Sequence, residues 1–143
     1  MAGISTFKDG FPLPVTAANN NTNSFGGNQR PNVSPDTGVA HQSIYEWFNT
    51  AAFTQPAPFT FGNAPRTAGY IRAQGTLNQD ATLQKYWQMW NESSKLQFRA
   101  EFYNLFNRTG FYAPNTTFGN ADFGTISGAF PGRSIQLALK LYW

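Results

Sequence analysis

The chain contains no cysteine, which removes both a disulfide framework and thiolate chemistry. Its single histidine, His41, is no metal site by itself, since imidazole ligands work in sets. Charged residues make up only 12% of 143 positions, about half the share of an ordinary globular domain. A net charge of +3 spread this thinly leaves no electrostatic footprint for nucleic acid. The aromatics interleaved with Arg30, Arg66, Arg72 and Arg108 lack a recognisable single-strand-binding motif, so no nucleic-acid partner is expected. Apolar runs fall far short of the ~18–20 residues of a membrane-spanning helix. No basic segment followed by an apolar one opens the chain, so any export is expected to depend on residues upstream of Met1, and whether Met1 is a natural start is left open by the sequence.

Catalytic constellations are missing as well. Glu101 and Arg99 stand two residues apart, but no nucleophile or second carboxylate sits at a matching spacing, so no enzyme is expected. Asp36, Asp80 and Asp122 are too scattered for a calcium loop. Gly26-Gly27 lacks the strand-to-helix context of a glycine-rich phosphate loop. No cofactor is expected.

What the chain has in abundance is aromatic residues, 17% of the total, with fourteen Asn, fourteen Thr, thirteen Gly and nine Pro. Few helix formers and many aromatics argue for β structure with long loops. In 133–143, Ile135, Leu137, Leu139, Leu141 and Trp143 share one parity and Ser134, Gln136, Ala138, Lys140 and Tyr142 the other, the period of a two-faced strand. In 95–107, Leu96, Phe98, Ala100, Phe102 and Phe106 alternate with Gln97, Arg99, Glu101 and Tyr103. The rival there is an amphipathic helix, but helical spacing would place Arg99 on the face of Leu96 and Phe102. A third strand is expected over 81–90, where Leu83, Trp87 and Met89 share a parity with Lys85, and a weak fourth near 3–8. A polar turn at 91–94 separates two of these. The stretches 9–80 and 108–132 read as long loops, rich in Pro, Gly and Asn pairs. Within the first, Tyr45 to Phe53 is too aromatic for a linker and is expected to fold back on something, and the aromatic stretch from Tyr45 to Phe61 to pack over a barrel rim.

Strands with one greasy and one polar face occur in soluble sandwiches, and also in membrane barrels. Three features favour the barrel. Eleven residues at ~3.3 Å each, tilted by ~45°, cover the ~25 Å apolar band of an outer membrane. Connections alternate between long and short. Aromatics gather at strand ends: Trp87 and Trp90 by the short turn, Tyr142 and Trp143 at the last strand's end, Phe106, Phe111 and Tyr112 at the other. On this reading Leu96, Phe98, Phe102, Ile135, Leu137, Leu139 and Leu141 face lipid. Gln97, Arg99, Glu101, Tyr103, Gln136 and Lys140 face the lumen, where Arg99, Glu101 and Lys140 form a charge network. The short turn is periplasmic and both long loops lie outside.

Five segments carry a resemblance: WFNTAAF (47–53), FGNAPR (61–66), LQFRAEFYNLFNRTGF (96–111), FGTI (123–126) and the terminal RSIQLALKLYW. They resemble the C-terminal end of TonB-dependent receptors, closest to the branch with a carboxypeptidase-regulatory-like domain. The resemblance implies an all-β, antiparallel chain contributing about four C-terminal strands to a 22-stranded outer-membrane barrel with a plug domain, which is absent from these 143 residues. It implies import of a nutrient or metal chelate driven by TonB, which would act only through the missing N-terminal part. It also implies outer-membrane lipid, the remaining barrel and the plug as partners. The barrel assembly machinery would read Leu137, Leu139, Leu141, Tyr142 and Trp143 as an assembly signal, with Trp standing where most relatives end in Phe. The alternative is a stand-alone β-rich module that self-associates through its sheet edges, because four strands close no barrel.

Overall fold

The structure, a computed structural model, describes residues 1–25 and 27–143; Gly26, half of one expected turn pair, lies outside them. In chain order the strands are β1 (Ala2–Lys8), β2 (Pro12–Leu13), β3 (Thr16–Ala17), β4 (Asn32–Val33), β5 (Phe53–Thr54), β6 (Ala68–Arg72), β7 (Thr76–Gln88), β8 (Lys95–Tyr103), β9 (Thr117–Phe118) and β10 (Ser134–Tyr142). One 3-10 turn, Thr50–Ala52, precedes β5. The chain is all-β and divides into two units, a sheet unit and a unit built from the two long connections.

The sheet unit holds four strands in the order β1-β7-β8-β10, each antiparallel to its neighbour. Successive strands of this sheet are thus spatial neighbours, an up-and-down meander. It is open, with β1 and β10 as its edges. Among the described residues β1 and β10 are exposed along their whole length. Only Ala100 of β8 is fully buried on a sheet strand, flanked in register by Leu83 and Leu137. A single layer with both faces accessible cannot owe its stability to a core of its own, because apolar burial is the main driving force.

The second unit holds the hydrophobic core. Leu13, Val15, Phe48, Ala52, Phe53, Ala68, Ile71 and Ala73 form one buried cluster, with Val33, Trp47, Phe118 and Phe123 packed against it. Phe123 meets the rings of Phe48, Phe53 and Phe118 edge-on at 5.2, 5.5 and 5.7 Å between centroids. Each such pair contributes about 0.5–1.5 kcal/mol beyond the area it buries. Asparagine supplies much of the remaining cohesion. Asn63 Oδ1 accepts from the Val33 amide at 2.7 Å while the Asn63 amide donates to Asn32 Oδ1 at 3.2 Å. Asn21 Nδ2 donates to the carbonyls of Pro56 and Ala57, and Asn49 caps the 3-10 turn through the Ala51 amide. A Cβ on Gly62 would lie 2.1 Å from the Arg30 carbonyl oxygen, so this close approach of two segments requires glycine.

Four sequence expectations are corrected here. The segment 9–80 is not one loop, since β2 to β6 and the first residues of β7 lie within it. Its strands are mostly two residues long, too short to show a period. The strand expected over 81–90 runs instead from Thr76 to Gln88. The strand expected over 95–107 stops at Tyr103, because Asn104 and Asn107 take φ of 56° and 51°, left-handed values that asparagine tolerates and a strand does not. The segment 108–132 likewise contains β9 and a bridge between Phe111 and Ala129. Phe48 and Phe53 of the aromatic stretch pack inside their own unit's core, while Tyr45, Phe59 and Phe61 are exposed.

Candidate functional site: a sheet with two opposed faces

Register assigns every sheet residue to a face. Leu96 stands opposite Trp87 on one side and Leu141 on the other; Phe98 opposite Lys85 and Leu139; Ala100 opposite Leu83 and Leu137; Phe102 opposite Ala81 and Ile135. Directly opposed residues share a face. All seven expected lipid-facing residues, Leu96, Phe98, Phe102, Ile135, Leu137, Leu139 and Leu141, therefore lie on one face. Leu137 and Leu139 are 69% and 68% exposed, so nothing among the described residues covers them. Trp143 follows Leu141 in the same parity, just past the end of β10, and is 90% exposed.

The opposite face carries Gln97, Arg99, Glu101, Tyr103, Gln136 and Lys140, joined by Thr76, Asn78, Asp80, Thr82, Gln84, Tyr86 and Gln88 of β7. Its polar groups satisfy one another across strands. The Tyr142 hydroxyl donates to Gln97 Oε1 at 2.9 Å, and Gln97 Nε2 donates to the Tyr86 hydroxyl at 3.0 Å, a relay through β10, β8 and β7. Arg99 is ion-paired with Glu101 along β8. Lys140 does not join that pair: register puts it opposite Gln97, and its Nζ lies 4.7 Å from the Tyr142 ring centroid, a cation–π contact.

At one end of the sheet, where β7 begins and β8 finishes, Asp80 holds a turn. Its Oδ1 accepts the Asn104 amide at 2.8 Å and Asn78 Nδ2 at 2.9 Å. Asn104 in turn bonds Arg108 through both side-chain atoms, and Asn107 Oδ1 accepts the Arg133 amide at 2.9 Å. The NLFN segment is thus a compact asparagine turn that sets where β10 starts. At the other end Ser94 and Met89 close the short connection, the Met89 amide donating to the Ser94 carbonyl at 2.9 Å.

Sequence reasoning missed the first part of β7, residues 76–80, and the role of Asp80, which it placed in a loop. The signal was present in the polar parity: seven alternate residues from Thr76 to Gln88 are all polar, whereas the other parity mixes Leu77, Ala81, Leu83 and Trp87 with Gln79 and Lys85. Gln79 and Lys85 interrupt the apolar parity, which is why the strand's first residues, 76–80, do not stand out. Phe111 and Tyr112, expected beside Phe106 as an aromatic rim, belong to the connection unit and Phe106 to the sheet unit. His41 is exposed in the connection unit.

The family described as outer membrane beta barrel domain matches residues 1–136. No curated protein and no solved structure matches the chain.

Proposed function

Because the chain belongs to the outer membrane beta barrel domain family, we propose that it is the C-terminal portion of a TonB-dependent receptor that imports a nutrient or metal chelate across the bacterial outer membrane. The observation that carries this reading is the β8–β10 pair of the four-stranded meander, with one face of Leu, Ile, Phe and Ala and one face largely of Gln, Arg, Glu, Lys and Tyr; β1 and β7 are mixed, Ser5, Gln79 and Lys85 falling on the apolar face and Ile4 on the polar one. An outer-membrane barrel needs that division, because each strand meets lipid on one side and a wet interior on the other. The apolar face then contacts lipid and the polar face lines the lumen. Lys85, alone among large nonpolar neighbours, lies three residues before the end of β7, where its long stem lets the ammonium reach the headgroup level. The relay from Tyr142 through Gln97 to Tyr86 ties adjacent strands from inside the barrel. The chain performs no catalysis.

Leu137, Leu139, Leu141, Tyr142 and Trp143 serve as the signal for the barrel assembly machinery; energy from TonB enters through parts of the receptor outside this chain. Substitution Trp143→Asp in the full receptor is expected to lower its outer-membrane level severalfold, and an unchanged level would count against the assembly role. Reading the genomic sequence upstream of Met1 tests the receptor identity itself: an in-frame run of further alternating strands preceded by a plug supports it, and a stop codon directly upstream refutes it.

The two open edges, β1 and β10, favour a second reading, self-association of the isolated chain by strand pairing. Size measurement in nonionic detergent and in water separates the two. A discrete water-soluble oligomer with β8 and β10 buried against protein would displace the lipid-facing assignment.

A further inference from the structure

Within the connection unit, a cleft of about 470 Å³ opens between the segments around Val15, Arg30 and Arg66. That volume falls in the range of small-molecule sites. Arg30 and Arg66 both line it, with Asn28, Thr16 and Thr67. No carboxylate lines it, and the one ion pair among the described residues, Arg99 with Glu101, lies in the other unit. Among the described residues, none of these five side chains has a hydrogen-bond partner, although all five carry donors.

The backbone next to each arginine is anchored, while Arg30 is half-buried and Arg66 exposed. Ahead of Arg30, the Ala17 amide donates to the Gln29 carbonyl at 2.8 Å; behind it, the Ala64 amide donates to the Pro31 carbonyl at 3.1 Å. Pro31 is fully buried. Arg66 lies between Ala64 and Ala68, buried to 4% and 1% exposure. Arg72 of the same unit differs, since its Nε donates to the Gly10 carbonyl at 2.8 Å.

From this juxtaposition we propose that the cleft binds a phosphate group. Two guanidinium forks match the roughly −1.5 to −2 charge and three acceptor oxygens of a phosphate monoester. A lone carboxylate would leave one of the cations unmatched. The donors are side chains, so the site differs from the backbone cradle of a glycine-rich loop. The phosphate is either free in solution or carried on a lipid headgroup. The inference stands on the cleft and is independent of the transport reading.

Nitrogen-15 NMR of the full 143-residue chain in nonionic micelles tests it, following the arginine Nε–Hε resonances as inorganic phosphate is added. Arg30 and Arg66 are expected to shift together and to saturate, while Arg72 stays in place. Arg30→Gln and Arg66→Gln are each expected to weaken binding about tenfold, the loss of one charge-assisted hydrogen-bonding partner, and the double variant to abolish it. The Ala17 and Ala64 amide positions confirm that each variant is folded; where one is not, the wild-type arginine resonances decide. A parallel titration with micelles carrying diphosphoryl lipid A identifies the source: saturation with free phosphate assigns a soluble ligand, and saturation only with the lipid assigns a headgroup. Unsaturable shifts in both titrations, equal movement of Arg72, or binding that survives in the folded double variant overturns the proposal.

Discussion

Asp80 accepts the backbone amide of Asn104 at 2.8 Å, so a carboxylate on β7 fixes the point at which β8 ends and turns. The same oxygen also accepts a hydrogen bond from Asn78 Nδ2, which aims it. Asp80→Ala removes both bonds and leaves a part-buried amide without its acceptor. The expected loss is about 1–3 kcal/mol, read by denaturant unfolding in lipid or detergent. Asp122→Ala, in an exposed part of the connection unit, is the control and is expected to stay within about 0.5 kcal/mol.

Asn104 itself occupies the left-handed region at φ 56° and bonds Arg108 twice. Asn104→Ala combines a conformational cost of about 1–2 kcal/mol with the loss of both bonds. Asn104→Gly keeps the conformation and loses only the bonds. Stability is expected to fall in the order Asn, Gly, Ala; Ala at or above Gly in unfolding measurements would show that the backbone conformation is not what selects this residue.

Leu137 and Ala138 adjoin on β10 but face opposite ways. Leu137 is 69% exposed, so in water its replacement by arginine would cost little. Against lipid the same Leu137→Arg change is expected to cost about 2–4 kcal/mol near the bilayer centre, whereas Ala138→Gln stays within about 0.5 kcal/mol. Unfolding titrations in phospholipid vesicles compare the two, and equal small effects would argue that this face does not meet lipid.

In the connection unit Phe123 joins Phe48, Phe53 and Phe118. Phe123→Ala is expected to cost about 3–5 kcal/mol and to speed hydrogen exchange at the Trp47 amide, which donates to the neighbouring Gly124 carbonyl at 2.9 Å. Exchange at the Leu83 amide on β7, in the other unit, is the reference.

Gly62 and Gly38 make a matched pair. Gly62→Ala must displace the Arg30 or Pro31 carbonyl, and exchange protection at the Ala64 amide is expected to fall. Nothing lies within 4 Å of a Cβ built on Gly38, where alanine is expected to be neutral or stabilising by up to about 1 kcal/mol.

The sheet was legible in the sequence because β10 is exposed throughout and β8 buries only Ala100 fully, so that alternation largely determines their residues. Leu96 to Phe102 and Ile135 to Leu141 announce their face without reference to a partner. The connection unit was not legible, for the opposite reason. Its order comes from contacts between residues far apart, such as Asn32 with Asn63 and Phe53 with Phe123, and no local pattern encodes those. Glycine and proline there mark turns, and the turns conceal a core. The polar parity of β7 is readable from Thr82 to Gln88, but its first part, Thr76 to Asp80, lies beside a turn-rich stretch and Gln79 breaks the apolar half there. The arginines of the cleft, Arg30 and Arg66, are isolated in sequence and acquire meaning only when the fold brings them to one opening.

The parallel pairing of β3 with β9 has a consequence for how this chain assembles. Thr16–Ala17 belongs to the first connection and Thr117–Phe118 to the second, so the two connections are halves of a single body that is completed only after β7 and β8 have been made. A protease cut near Tyr45 would sever the first half yet leave both fragments clasped by the second. In synthesis the order reverses: the early half must wait, with Val15 and Phe53 uncovered, for residues about a hundred positions after β3. Its need for protection in transit would therefore arise from the connections as well as from the sheet.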